Sequence, residues 1–559
     1  MRKQTKIAAI VSAAALLAIG ASMTSFAATG WQEEDGAWVY YNKNGEQVTD
    51  QWEKSGANWF YIGDDGAMVT DALIEYNDNY YYVDSNGAMV TDRWIAIDNE
   101  DAGDEDEPDV HWYYFQSNGK ALRKGDSHEH IFKKTLPGGK TYAFDSEGKM
   151  LYGWVRYSDG ERQTGDTAWK EAEYYFGDEN DGAMSVGWRE IAITDDDAES
   201  AQPGDSFWDE DQVRWFYFKS SGKKENGSNN SDGVGDGKLN KKINGKKYGF
   251  DEYGRMIADW YAASVDEASQ GDADYTETFM YFSSPEDGAR HSKSWFKVVP
   301  GYYLHQSKYE DGDDYWYYAD GDGNLVASKI KSIKGKKYAF DGYGRMKKGL
   351  QLMKVDGNDI LDIIADDDEN HPYDTEDDFK ETARWAQDNN YFFYYFSNDE
   401  DHDGSMKTGN QTVTIDGDTF TFKFKKSGTG KGQGENQTDK DKHKVYLGGM
   451  LFRAGSDDKV KILSVDGPVV DLTVKEFLTA VGAEEKENTD DKAIKVDGVS
   501  IKKNATYYVW DWKNKSKQDK FVMVNTSGSM VKSGSKKDGD GYKIVTDNNY
   551  GIKMVVVED

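Results

Sequence analysis

The sequence predicts an all-β protein built as an array of stacked β-hairpins. Three observations lead there: a strict 21-residue period, aromatic residues alternating within each unit, and Gly-containing turns between the runs. Trp31, Trp52, Leu73 and Trp94 stand 21 residues apart. So do Trp38, Trp59 and Tyr80, then Tyr40, Tyr61 and Tyr82, and then Gly45, Gly66 and Gly87. Met68 and Met89 keep the same step. Each unit reads W-x6-[WY]-x-Y-x4-G. In "WEKSGANWFYIGDDGAMVTD" (52–71) a turn around Ser55-Gly56 separates two short runs, and alternation along Trp59-Phe60-Tyr61 puts Trp59 and Tyr61 on one face. That is the pattern of a β-hairpin. A lone hairpin cannot bury its aromatic face, so the units must stack.

Regular hairpins therefore fill 28–97, and the period stretches beyond them. "HWYYFQSNG" (111–119), "RWFYFKSSG" (214–222), "YWYYADGDG" (315–323) and "TFKFKKSG" (421–428) share one register. Their intervals, counted at the glycines, are 103, 101 and 105 residues. Two other hairpin types recur between them, as in "EYYFGDENDGAM" (173–184) and "KGKKYAFDGYGRM" (334–346). Residues 98–428 thus read as expanded hairpin repeats whose turns have taken up acidic inserts, densest at 98–109 and 366–378. These inserts read as solvated loops to which divalent cations can bind. Residues 429–505 read as a linker followed by a small, partly helical segment. Its short helix, near 473–481, is signalled by the capping box Thr473-Val474-Lys475-Glu476 and by Gly482 as a stop. Residues 506–559 read as a degraded hairpin region.

Composition narrows the function. A formal net charge of −34 disfavours contact with phosphate backbones, so no nucleic-acid partner is expected. The absence of cysteine removes disulfides, thiolate metal sites and cysteine nucleophiles. Charge of this order suggests disorder, but 17 Trp, 37 Tyr and 24 Phe argue for a folded chain with an aromatic core. Arg2, Lys3 and Lys6 precede an apolar run from Ile7 to Ala21, and Ser25-Phe26-Ala27 offers small residues for cleavage. Residues 1–27 read as a secretory signal, and no later stretch is long enough to span a membrane.

With these residues in view, "GWQEEDGAWVYYNKNGEQVTDQWEKSGANWFYIGDDGAMVTD" (30–71) resembles the cell-wall-binding repeats of the choline-binding protein family. The "GKKYAFDGYGRM" units resemble the related repeats of glucan-binding proteins and of clostridial toxin C-termini. The resemblance implies an elongated solenoid and ligand sites between consecutive hairpins, each lined by two aromatics of one unit and one of the next, near a methionine. Carried onto this chain, one site uses Trp31 and Trp38 with Trp59, near Met68. A second uses Trp52 and Trp59 with Tyr80, near Met89. Leu73 stands where a tryptophan is expected, so a third cage is poor. Aromatic faces attract a quaternary ammonium by about 2 kcal/mol when desolvated. The same rings also serve as core whether or not a ligand binds.

Sites for other chemistry are sparse. His128-Glu129-His130 reads as a solvent-facing turn rather than a metal pair. Asp399, Asp401, Asp403 and Gly404 match half of a calcium loop, but Asn410 replaces the bidentate glutamate such loops need. The longest repeat-free stretch, 429–505, is small and polar for a hydrolase domain, so no catalytic residue, cofactor or resident metal is expected. The resulting expectation is a secreted, non-catalytic protein at the surface or wall of a Gram-positive bacterium. Its partner would be a cell-wall polymer, either choline-bearing teichoic acid or a glycan. The alternatives are capture of soluble or host glycan, and an enzyme hidden among the inserts.

Overall fold

In the computed structural model the described residues are 29–103, 107–194, 211–227, 240–262, 264–365, 371–398, 403–436, 438–439, 443–514 and 519–557. The signal reading of 1–27, most of the acidic loop 194–212, and Asp399 and Asp401 of the half calcium loop lie outside them. Strands take up 43% and helices 8%, which makes the protein mostly β, as the sequence predicts. The chain divides into two compact units. One comprises 1–199, 209–238 and 250–256, and the other 200–208, 239–249 and 257–559.

The first unit is a series of antiparallel hairpins. The first four pair Gly30–Glu34 with Ala37–Tyr41, Gln51–Ser55 with Asn58–Ile62, Ala72–Tyr76 with Asn79–Val83, and Arg93–Asp98 with Val110–Phe115. The fifth pairs Lys133–Thr135 with Thr141–Ala143, the sixth Gly153–Val155 with Tyr174–Asp178, and the seventh Gly187–Thr194 with Asp211–Phe218. The first three hairpins, and with them the 21-residue region, form separate two-stranded sheets.

The repeated glycine and methionine belong to a turn that follows each hairpin. The second strand ends on a fully buried residue such as Ile62, Val83, Phe115 or Phe144. After Val83 and Phe144 an Asp side chain then accepts two backbone N–H groups. Asp84 Oδ1 takes those of Asn86 at 2.9 Å and Ala88 at 3.1 Å, and Asp145 Oδ1 those of Glu147 at 2.9 Å and Lys149 at 2.8 Å. This is an Asx turn, the conformation these short polar side chains favour. The residue six places beyond the strand end then bridges back to it: Met68 to Ile62, Met89 to Val83, Met150 to Phe144. Its N–H also reaches the preceding hairpin, Met68 to the Trp38 carbonyl at 2.7 Å and Met89 to that of Trp59 at 2.8 Å. Gly87 lies in this turn at φ +76°, and a Cβ there would sit 2.8 Å from Met68 Sδ. Conformation and space both demand glycine.

In the second unit the same turn recurs. Met346 N–H bonds the Trp316 carbonyl at 2.8 Å, Met406 that of Lys337 at 2.7 Å, and Met530 that of His443 at 2.7 Å. Two features depart from the sequence reading. First, the helix near 473–481 forms as Val474–Val481 with its Thr473–Glu476 capping box, but it is one of five helices among the described residues. The longest, Glu376–Asn389, begins inside the acidic run read as a loop. Thr375 caps it, Glu376, Asp377 and Asp378 occupy its first turn where the helix dipole favours acids, and Phe379, Ala383 and Ala386 face inward. Second, the C-terminal core is aliphatic. Val460, Ile462, Val481, Ile544, Ile552 and Val555 pack around Phe477 and Met523. The strand Phe521–Asn525 pairs with Val460–Ser464 across the intervening sequence. Within 429–505, Val445 and Leu447 are both buried in a core with Phe393 and Phe422.

Two predictions follow from the turn. Gly87→Ala meets both the left-handed φ and the Met68 sulfur, whereas Gly36→Ala, at φ +85° with open space, meets only the first. Urea denaturation is expected to show a loss of about 1–3 kcal/mol for Gly87→Ala and a smaller one for Gly36→Ala. Burial pushes the Asp145 carboxyl up to about 6, against the backbone hydrogen bond from Lys149 that favours the charged form. The folded state then binds this proton more tightly than the unfolded chain, so the contribution is present below the unfolded pKa and is lost as pH rises through 6. Asp145→Asn keeps an acceptor without the buried charge. Its stability relative to wild type is expected to climb between pH 4 and 7, and equal pH profiles would refute this.

Candidate functional site

Register decides which rings meet. In an antiparallel pair, residues directly opposite share a face. Trp31 opposes Tyr40 and Glu33 opposes Trp38, so all four lie on one face of the first hairpin. Trp52, Tyr61, Lys54 and Trp59 form the same face of the second. This face looks toward the opposite face of the following hairpin: the Trp31 ring stands 5.3 Å from Phe60, and Trp52 stands 5.2 Å from Tyr81.

The first-strand tryptophan is thereby a packing residue. It meets its cross-strand tyrosine edge-on in every hairpin that carries the pair: Trp31–Tyr40 at 5.3 Å, Trp52–Tyr61 at 5.2 Å, Trp94–Tyr114 at 5.3 Å, Trp154–Tyr175 at 4.9 Å and Trp188–Tyr217 at 5.1 Å. Such geometry suits the ring quadrupoles. The indole Nε1 groups of Trp31, Trp52 and Trp112 are buried without a hydrogen-bond partner. Each leaves a donor available to an oxygen of a ligand or a water.

Of the residues singled out in sequence, Trp31 and Trp38 share a face, and so do Trp52 and Trp59. The following hairpin meets them with Phe60 and Tyr81 rather than with Trp59 and Tyr80. Tyr80 opposes Glu75 on the face turned to the fourth hairpin, where it packs with Leu73 and Tyr82 against Tyr113 and Phe115. The Met68 side chain rests against Gly87 and that of Met89 against Gly119, which places both thioethers in the turn column. Phe60 and Tyr81 were missed as partners. Alternation alone contained that signal, since residues of even and odd number on a strand face different neighbours.

Charge distinguishes the hairpins. Glu33 stands across from Trp38 and Glu75 across from Tyr80, which pairs a carboxylate with an aromatic face. That combination suits an organic cation. On the second hairpin the partner is Lys54, whose ammonium lies 5.6 Å from the ring centroid of Trp59. Trp59 is the most open of these rings, at 39% exposure. The other motifs resolve differently. His128 packs edge-on to Phe132 and His130 stacks on Tyr157. Asp403 is held down at about 2 by a hydrogen bond from Ser405 and by the ammonium groups of Lys336 and Lys407. Among the described residues, no group of three or more His, Asp or Glu side chains is placed to hold a metal ion, which leaves the divalent-cation expectation without support. No described helix is long and apolar enough to cross a membrane.

The contrast between a packing and an exposed indole is testable. Trp31→Ala is expected to cost about 3 kcal/mol, the low end for loss of a large aromatic, since Trp31 is half-buried against Tyr40 and Phe60. Trp59→Ala is expected to cost under about 1 kcal/mol, as for a substitution at the surface. Urea midpoints read by far-UV circular dichroism compare them, and equal losses would contradict the assignment of Trp59 as an open face.

The comparisons fit this geometry. The family model described as a choline-binding repeat matches residues 51–94, and that of a cell wall binding repeat matches 111–121. No curated protein matches the chain. Among solved structures it is similar to the modular autolysin LytC from Streptococcus pneumoniae, at 17% identity over 58% of this chain and 55% of that one, with a TM-score of 0.29. It therefore spans about half the length of that autolysin. It is also similar to choline binding protein F from Streptococcus pneumoniae in the presence of a peptidoglycan analogue, at 18% identity over 70% and 97% of the two chains, TM-score 0.28. The choline-binding domain of CbpL from the same organism matches at 16% over 57% and 98%, TM-score 0.17. The matched repeats lie within the hairpin series described above, and by them the chain carries choline-binding-type, cell-wall-binding repeats at 51–94 and 111–121.

Proposed function

We propose that the protein is secreted, acts without catalysis, and holds choline-decorated or carbohydrate cell-wall polymer at aromatic faces of its hairpins. The observation that carries this reading is Trp59. It lies within the matched repeats, is 39% exposed where Trp31 and Trp52 are packed between hairpins, and already attracts the Lys54 ammonium to its ring. A ring that draws one ammonium draws another of better fit.

Purified full-length protein mixed with choline-bearing cell wall tests this. Retention that free choline reverses is expected, and Trp59→Ala should weaken it roughly tenfold, the equivalent of about 1–2 kcal/mol. Elution by oligosaccharides but not by choline would favour the glycan-capturing alternative. Release of soluble peptidoglycan fragments during the incubation would overturn the non-catalytic part.

A further inference from the structure

The turn residue that bridges back to its own strand is a methionine in many hairpins: Met68, Met89, Met150, Met256 and Met346. After the seventh hairpin that position holds Lys224, bridged to Phe218. Lysine is a poor substitute for methionine in a packed turn, because burial penalises its charge. Lys224 is nonetheless only 5% exposed.

Its surroundings account for the exchange. The Lys224 ammonium donates to the Trp169 carbonyl, and lies 5.0 Å from the Trp154 ring centroid and 5.7 Å from that of Phe216. Trp154 is the first-strand tryptophan of the sixth hairpin, as Trp31 is of the first. Phe216 occupies the place of Phe60, eight residues before the turn residue in both cases. Trp31, Phe60 and Met68 thus correspond to Trp154, Phe216 and Lys224. Trp169, which supplies the carbonyl, comes from the loop inserted in the sixth hairpin and is itself buried.

The charges around the box are accounted for. The Asp251 and Glu173 carboxylates favour the ammonium, while burial lowers its pKa to about 8. Arg255 is held by Asp251 at 2.6 Å and lies 4.7 Å from the Trp169 ring. At neutral pH the box therefore holds a protonated amine. Two aromatic faces around an ammonium are also what an external choline-type ligand would require.

We propose that Lys224 is a built-in ligand: its ammonium fills the aromatic box of Trp154 and Phe216 and closes this hairpin interface to quaternary ammonium from outside. This rests on the reading of such interfaces as ammonium sites and assigns which of them is self-occupied. Shortening the side chain uncovers a site for a small quaternary ammonium. Trp154 and Trp169 also wall a hollow of about 380 Å³, with Asp166, Ile193 and Thr194.

The test uses the full chain and two probes, tetramethylammonium chloride and choline chloride, in calorimetric titration. Lys224→Ala is expected to bind one equivalent more of each than the wild type. Lys224→Met, which refills the box with the thioether of the other turns, is expected to add none. A folded Lys224→Ala protein with no added site overturns the proposal, as does an equal gain in Lys224→Met. Should Lys224→Ala not fold, the wild-type protein carrying ¹³C-lysine decides: ring currents should shift the Lys224 ε-methylene upfield of the other lysines, and an ordinary position overturns the proposal. If the wild type binds neither probe while Lys224→Ala binds one, the wall-binding function falls and the built-in ligand stands.

Discussion

The hairpins of the 21-residue region depend on backbone hydrogen bonds between consecutive units, above all the one from the turn residue to the carbonyl of the preceding hairpin. Each of these hairpins is its own two-stranded sheet, and two-stranded ribbons are marginal in water. The bonds from Met68 to Trp38 and from Met89 to Trp59 fix where each hairpin sits on the one before it. Ring packing follows from that position, since a shift of one residue would turn Trp52 away from Tyr81. The Asx turn and its glycine exist to present this N–H. The motif that stands out in sequence is the tryptophan, but the geometry is set by the less conspicuous G-x-M segment of Gly66 to Met68 and Gly87 to Met89.

Packing and binding draw on the same rings but on different parts of the hairpin. The first-strand tryptophans sit near the strand ends, are covered by the next hairpin, and act as core. Trp38 and Trp59 lie two pairs nearer the hairpin tip, beside charged partners. A repeat can therefore lose its ligand without losing its fold. Lys224 shows a version of this, in which a charge supplied by the chain takes the position of a hydrophobic turn residue and still packs.

Much of the fold was legible because its signals are local. The 21-residue step, the alternation in Trp59-Phe60-Tyr61 and the capping box at Thr473 each reflect contacts within a few residues of chain. The pairing of rings between hairpins was not legible in the same way. It depends on which face of one hairpin meets which face of the next, and both faces here carry aromatics. Helix 376–389 was hidden because its N-terminal acids look like a solvated loop unless the dipole they complement is recognised. The C-terminal core was hidden because strand 521–525 finds its partner at 460–464, a pairing that no local pattern records.

That last contrast divides the chain by how it tolerates being cut. In the 21-residue region each hairpin is joined to the next within some thirty residues, from Trp38 to Met68 or Trp59 to Met89, so its contacts are those of nearest neighbours. Removing hairpins from that end shortens a stack and leaves the remaining interfaces intact. The strand Phe521–Asn525 lies instead between Val460–Ser464 and the turn bond to His443, and Met523 sits in the core with Ile462. Truncation before it would strip the strand that pairs along the whole length of Val460–Ser464 and unmake the segment from 443 onward as one piece. One end of the chain is divisible, and the other is all or none.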